Sequence, residues 1–401
     1  MNQALATLLR HYVTMYPIVM ALVWSSLALV YFWRRERRER WLLKPPRRPL
    51  AMPVSILIPC FNEAPLLATT LKAALSVDWP EFEVIAINDG SSDDTGRQLN
   101  QWAAESSRLR VVHLVSNQGK ALALRAGALI AKHEWLVCID ADALLDPHAL
   151  GWLLRHFPGR DRLAAVTGNP RIRNRSSLLG RLQVGEFSLI IGLIKRAQAL
   201  GGSLFCVSGV IGAFRRSALH GVGYWDSDCL TEDIAITWKL QRAGWQVEYE
   251  PHALIWILMP ETLAGLWKQR RRWAEGGLQV IISNLDLLVR PQQWHLLPLL
   301  VEPLASLLWA YALVACLVLG LPPASALALL PVVCLGQFLV SFQLDRPYDR
   351  GLAGVGFWMV WYPLVFWLVT LLASLVALPR ILLRLQPQRA RWVSPDRGQL
   401  G

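Results

Sequence analysis

Five short groups of polar residues have the types and spacing that acid–base and anion chemistry require. Asp140-Ala141-Asp142 sets two carboxylates two residues apart, directly after an apolar stretch. Both can converge on one cation, and a divalent ion held by one or two carboxylates together with substrate phosphates is the usual magnesium arrangement. Asn88-Asp89-Gly90 closes another apolar stretch. It reads either as an ordinary turn or as a carboxylate, Asp89, that accepts from the N–H of a nucleobase. Asn117-Gln118-Gly119-Lys120 opens a helix with a glycine and a lysine, which suits an anionic phosphate. It lacks the paired glycines before Lys-Ser/Thr that make a P-loop. Thr231-Glu232-Asp233 adds an acid near the end of the same region. Gln269, Arg272 and Trp273 recur at i, i+3 and i+4, so a helix presents them on one face. There Arg272 could bind a departing pyrophosphate and Trp273 could stack on a sugar ring. By itself this helix reads more readily as an interfacial anchor, with Arg270 and Arg271 pointing to lipid headgroups or water.

The elements that must position these groups are legible from hydrophobic patterning. Val54–Ile58, Glu83–Asn88, Arg110–His113 and Trp135–Ile139 read as buried strands. Ala64–Ser76, Thr95–Glu105 and Lys120–Lys132 read as helices between them. Alternation of this kind predicts an α/β fold with a mostly parallel sheet. Ligands bind beyond the carboxyl ends of such strands, and Asn62-Glu63, Asp89 and Asp140/Asp142 all fall at those ends. Leu178–Ala199 is either a helix on the membrane surface or a core helix. Leu263–Val280, with Trp267 and Trp273 interleaved among Lys268 and Arg270 to Arg272, suits the headgroup layer.

Composition places this region beside a membrane. The 401 residues are 54% hydrophobic and only 17% charged, with 19 Trp. Met15–Trp33 is uncharged, long enough to span, and followed rather than preceded by basic residues (Arg34 to Arg40), unlike a signal peptide. The positive-inside rule puts the N-terminus outside and the chain from Arg34 in the cytoplasm. Three further apolar runs, Leu304–Leu321, Ala324–Leu344 and Gly354–Leu378, are each long enough to cross. Glu302 stands at the mouth of the first, either at the interface or lining a polar path. Four spans would leave the tail with Arg380, Arg384, Arg389, Arg391 and Arg397 outside, against the charge rule. The net charge of +12 is explained by basic residues flanking spans, and no nucleic-acid-binding motif accompanies it. Six cysteines without a CxxC pair fit reduced thiols rather than a zinc site or a disulfide framework.

Pro59-Cys60-Phe61-Asn62-Glu63, Asn88-Asp89-Gly90-Ser91-Ser92-Asp93-Asp94-Thr95, Asp140-Ala141-Asp142, Thr231-Glu232-Asp233 and Gln269-Arg270-Arg271-Arg272-Trp273 together resemble the membrane-embedded family 2 glycosyltransferases. That group includes cellulose, hyaluronan and chitin synthases. The resemblance covers Val54–Val280 and the apolar flanks, and the last motif marks the processive members. Met259-Pro260-Glu261-Thr262-Leu263 and the tail Arg389 to Gly398 look most like the bacterial poly-β-1,6-N-acetylglucosamine synthases.

The resemblance implies a nucleotide-sugar-binding, GT-A-like domain that uses UDP-N-acetylglucosamine and Mg²⁺ or Mn²⁺. By carry-over, Glu63 and Asp89 would hold the uridine, with Lys120 nearby. Asp140 and Asp142 would hold the diphosphate and metal, Asp142 as the direct ligand, and Asp233 would be the general base. Gln269, Arg272 and Trp273 would cover the diphosphate and acceptor sugar. Phe205-Cys206-Val207-Ser208-Gly209 stands for the acceptor motif Phe-x-Val-Thr-Gly, which implicates Ser208 and Gly209, with Glu232, in acceptor binding. Ser for Thr keeps the hydroxyl. One displacement at the anomeric carbon would turn an α-linked donor into a β-linked product. The organisation implied is an N-terminal anchor with its basic flank (1–43), a linker (44–53), a cytosolic transferase domain (54–260), an interfacial helix region (261–295), and C-terminal spans with a basic tail (296–401). The location implied is a bacterial inner membrane, multi-pass, with the catalytic domain cytoplasmic. The resembling synthases work with a small membrane subunit and respond to cyclic di-GMP, and no added domain for that ligand follows the last span here. Competing readings are a non-processive transfer of one sugar to a lipid carrier, synthesis of another β-linked polymer, and a transporter that merely binds a nucleotide sugar.

Overall fold

The computed structural model describes residues 3–46, 52–321 and 324–383. Half of the linker expected at 44–53 (residues 47–51) and the tail arginines Arg384, Arg389, Arg391 and Arg397 lie outside the described residues. The chain divides into two compact units, one built on Glu39–Asn174 and Gly202–Thr262, the other on Met1–Arg38, Arg175–Gly201 and Leu263–Leu385.

The first unit is an eight-stranded sheet. Its strands are β1 (Val54–Cys60), β2 (Phe82–Asn88), β3 (Leu109–His113), β4 (Trp135–Ile139), β5 (Leu144–Leu145), β6 (Leu163–Ile172), β7 (Ile211–Arg215) and β8 (Gln246–Ile257). The order is β3-β2-β1-β4-β7-β6-β8-β5. The half from β3 to β4 is parallel, as the strand–helix alternation predicts. β7 enters antiparallel to both β4 and β6, and β5 antiparallel to β8, which makes the sheet mixed. Every residue of β1, β2 and β6 is buried. The helices Ala64–Leu75, Thr95–Glu105 and Lys120–Ile130 fill the connections between the parallel strands, as such connections require.

A charged cluster anchors the start of this unit. Buried Glu250 accepts from His156 Nε2 at 2.7 Å and pairs with His252 Nδ1 at 2.8 Å. The other nitrogen of His252 lies 3.0 Å from the carbonyl of Glu39, and its ring stacks on Trp152 at 4.1 Å. Burial would push the Glu250 carboxyl up, but its bonds to the two histidines outweigh that and hold it well below the usual carboxylate range.

The second unit is helical. Two of its helical stretches, Gln3–Glu36 and Pro291–Val318, are long and apolar enough to cross a membrane. Helices at Ala324–Asp345 and Tyr362–Leu383 accompany them. The apolar run expected as one span over Gly354–Leu378 is broken into Leu352–Met359 and Tyr362–Leu383. Pro363, in the first turn of the second helix, has no N–H to give the carbonyl one turn back, so the helical bonding cannot run on from the first helix there. Leu178–Glu186 continues through a π-helical stretch, Phe187–Ile194, into Lys195–Leu200. Most of it is packed inside the unit, and Arg196 and Glu186 are paired there. Fully buried Arg196 bonds to Glu36 (2.7 and 3.0 Å) and Asp345 (2.7 Å), and Tyr348 donates to Glu36 at 2.7 Å. Glu302 lies in the helix Leu297–Val318, where Tyr16 donates to its backbone carbonyl at 3.4 Å.

Candidate active site

The strand ends of the first unit carry two clusters. In one, Asp89 follows β2 and is completely buried. Its two carboxylate oxygens accept from the backbone N–H groups of Gln118 and Gly119, each at 2.8 Å. Burial pushes the Asp89 carboxyl up, and the two N–H bonds offset part of that. The turn after β2 needs Gly90: its φ is +66°, and a Cβ would come within 2.5 Å of the Ser116 backbone. Buried Glu63, just past β1, caps the next helix with its backbone and donates its N–H to Thr95 Oγ1 at 2.8 Å. The sequence signal for Asp89 was that of a base-binding acid; the structure adds that its carboxylate fixes the loop leading to Lys120.

In the second cluster Lys120 is the hub. Its Nζ lies 2.5 Å from Asp140 Oδ1, 3.0 Å from the carbonyl of Gly209 and 3.4 Å from Glu232 Oε1. Burial disfavours this ammonium, but the carboxylates of Asp140, Glu232 and Asp233 outweigh it and hold its pKa above the usual lysine range. Asp233 lies in the first turn of the helix Glu232–Arg242, where the helix dipole favours anions. Its Oδ2 accepts from the N–H of Gly209 at 3.1 Å and its Oδ1 from the N–H of Ile234 at 2.9 Å. Gly209 is a tight fit, since a Cβ there would stand 3.1 Å from Asp233 Oδ2 and 3.2 Å from Lys120 Nζ.

Two hydroxyls that sequence reading missed hold this loop. Thr237 Oγ1 accepts from the N–H of Val207 at 2.8 Å and donates to the carbonyl of Asp233 at 2.6 Å. Thr167 Oγ1 accepts from the N–H of Ser208 at 2.9 Å. Thr237 lies one helical turn after Asp233, a spacing visible in the sequence; Thr167 lies on β6, which no motif marks. Thus Lys120, Asp140, Gly209, Glu232 and Asp233 come together, and Ser208 is held beside them. Asp142 is half-buried in the turn after β4. Among the described residues, no group of three or more His, Cys, Asp or Glu side chains is gathered for a metal ion.

Gln269, Arg272 and Trp273 belong to the second unit, on the helix Leu263–Ser283. Arg272 is exposed and Trp273 is 36% exposed. Arg270 corrects the expectation of a side chain turned to lipid or water. It is buried, its guanidinium forms a two-pronged pair with buried Glu186, and it stands 4.3 Å from the centre of the Trp273 ring. The i, i+3 spacing puts Arg270 beside Trp273, and Glu186 makes its burial tolerable.

A mixed sheet with Asp140 at a strand end, joined through Lys120 to Glu232 at a helix start, is an arrangement that a GT-A-like glycosyltransferase domain accommodates. The family described as "Glycosyltransferase like family 2" matches residues 51–276, more than half of the chain. The chain is 37% identical to the poly-β-1,6-N-acetyl-D-glucosamine synthase of Staphylococcus epidermidis, with 97% of this chain and 98% of that one covered. The same identity and coverage hold for the synthase of that name in Staphylococcus aureus strain COL. A mannosyltransferase from Pyrobaculum calidifontis, solved with GDP-mannose and Mn²⁺, superposes with a TM-score of 0.59 at 21% identity, covering 94% of this chain and 99% of that one. It shares the fold. The chain belongs to glycosyltransferase family 2 and is a glycosyltransferase.

Proposed function

We propose that this chain is a processive, inverting synthase that polymerises N-acetylglucosamine from UDP-N-acetylglucosamine into a β-1,6-linked exopolysaccharide of a biofilm matrix. The observation that carries the chemistry is the Lys120 hub, which ties Asp140 of the donor motif to Glu232 and to the carbonyl of Gly209, whose N–H in turn bonds Asp233. The sugar and linkage are those in the names of relatives matched over 97% of the chain. Glu63 and Asp89 hold the uridine, and Lys120 and Asp140 face the diphosphate. Asp142 and Asp140 hold Mg²⁺ or Mn²⁺. Among the described residues no group of three or more such side chains is gathered, so these two carboxylates would hold the cation together with substrate phosphates, the usual pattern for a hard cation. When bound, the cation neutralises charge that grows on the leaving diphosphate.

Asp233 accepts the proton of an acceptor hydroxyl as that oxygen bonds to the anomeric carbon and the bond to UDP breaks. Its bonds from Gly209 and Ile234 aim the carboxylate. Ser208, Gly209 and Glu232 line the acceptor side, Trp273 stacks on the terminal sugar, and Gln269 and Arg272 cover the diphosphate. The protein sits multi-pass in the bacterial inner membrane with its transferase unit in the cytoplasm. The polymer leaves among the C-terminal helices, past Glu302. A small membrane subunit completes the path, and cyclic di-GMP regulates the assembly.

The test is incubation of membranes carrying the full chain with UDP-N-acetylglucosamine. UDP release with a ladder of products, digested only by a β-1,6-specific glycosidase, is expected. Single additions to lipid, or resistance to that glycosidase, would refute the assignment. Adding cyclic di-GMP to the purified chain, alone and with membrane extract, tests the regulation: full, unregulated synthesis by the isolated chain refutes an obligatory partner.

A further inference from the structure

The helix Leu263–Ser283 contains a charged pair that the chemistry above does not use. Arg270 and Glu186 are both buried, 5% and 2% exposed. Both terminal nitrogens of Arg270 donate to the two oxygens of Glu186, the fork-to-fork geometry that fixes a guanidinium in plane. Leu179, Leu182, Leu266, Val365 and Val369 line the same recess, so the pair sits in apolar surroundings with little water to compete for it. The guanidinium carbon lies 4.3 Å from the centre of the Trp273 ring, inside the range of a cation–π contact. Trp273 remains 36% exposed. One side of the indole is therefore held by a charge that is itself held, while part of the ring stays open.

We propose that Glu186 and Arg270 are positioning residues for the acceptor: Glu186 locks Arg270, and Arg270 sets the orientation of the Trp273 ring on which the growing chain stacks. This rests on the reading of Trp273 as the acceptor platform. A surface anchor helix has no use for such a device, because an interfacial tryptophan needs only depth in the headgroup layer and not a fixed ring plane. A sugar platform does need one, since stacking depends on the angle and height of the ring. The consequence is a division of labour. The pair governs how long the polymer stays on the enzyme and leaves nucleotide binding unchanged.

The measurement is mean product length at a matched amount of UDP released, in membranes carrying the full chain, with the apparent melting temperature of each detergent-solubilised variant recorded alongside. Three variants decide. Trp273→Ala should shorten the product and so checks the platform itself. Arg270→Lys keeps the charge but loses the planar fork, and should shorten it on the order of threefold or more, with UDP affinity unchanged. The swap Glu186→Arg with Arg270→Glu restores an ion pair but moves the cation off the ring. It should recover the melting temperature and not the length, whereas a purely structural pair would recover both. If the swap does not fold, the apolar pair Glu186→Leu with Arg270→Met takes its place, with the same expected shortening. Wild-type length in either double variant or in Arg270→Lys, with Trp273→Ala short, overturns the positioning role alone. Wild-type length in Trp273→Ala overturns the platform and this role with it.

Discussion

Replacing Asp233 by Asn removes the proposed base while disturbing little else. Asp233 Oδ2 accepts from Gly209 at 3.1 Å and Oδ1 from Ile234 at 2.9 Å. An amide keeps one acceptor oxygen and turns its NH₂ toward the other N–H. One hydrogen bond is lost, at about 0.5–1.5 kcal/mol. Thr237 grips the backbone carbonyl of residue 233 and not its side chain, so the start of the helix holds. Lys120 loses one of three nearby carboxylates and remains paired with Asp140 at 2.5 Å, so the ammonium proposed to face the diphosphate stays in place. Loss of a general base costs about 10²–10⁴ in rate, or roughly 3–5 kcal/mol on the barrier. The expected result is turnover down by about two to four orders of magnitude, with the Kd for UDP, measured by calorimetry on the purified protein, within about threefold of wild type. Unaltered turnover would refute the role of Asp233. A collapse of UDP affinity in step with activity would move Asp233 from the acceptor side to the nucleotide site.

Lys120→Met should leave Asp140, Glu232 and Asp233 without their common counter-charge; losing a charge-assisted contact of about 1.5–3 kcal/mol weakens UDP binding roughly 10- to 150-fold, and unchanged or tighter binding by calorimetry would contradict the hub. Glu250→Gln should lower the apparent melting temperature at neutral pH. Because the folded Glu250 carboxyl lies below its unfolded value, its contribution is present above about pH 4.3 and fades as pH falls through the folded value, so melts of wild type and variant should converge only in strong acid; a gap independent of pH would count against the pair. Trp273→Ala should lose elongation more severely than Arg272→Lys, since Lys keeps a charge near the diphosphate; equal, uniform loss in product-length profiles would reduce the helix to an anchor. A photocrosslinker at position 302 should capture radiolabelled product, and capture of lipid alone would place the exit path elsewhere.

The parallel half of the sheet was legible because its strands are buried on both faces and read as apolar runs. Trp135–Ile139 and Thr95–Glu105 were placed at their observed limits, and β1 to β3 within a residue or two. The other half was not. β6 contains Thr167, Asn169 and Arg171, all buried, and β8 contains Glu248, Glu250 and His252. Polar residues break the apolar run that marks a central strand, and two of their partners lie 88 and 94 residues away in the chain: Arg160 reaches Glu248 and His156 reaches Glu250. No local window holds both ends of such a pair.

The site shows the same division between local and distant information. Asp140, Asp142, Glu232 and Asp233 stand out only as members of an ordered set of motifs, because an acid at a strand end or in the first turn of a helix is common by itself. Lys120 is marked in the sequence only by its place beside a glycine at a helix start. Its place between Asp140 and the Gly209 carbonyl, 20 and 89 residues away, depends on β7 entering the sheet antiparallel to β4. That crossing brings the segment leading into β7, with Ser208 and Gly209, to the carboxyl end of β4. Arg270 is the instructive failure. Inside a run of three arginines it looked like a surface charge, and its spacing from Trp273 allowed contact but did not require it. What buries it is Glu186, 84 residues upstream, in a helix whose apolar flanks had two equal readings. A charge run reveals its sign to the sequence reader. Which of its members is withdrawn from water is decided by where an opposite charge is already buried, and that follows only from the packing of distant helices.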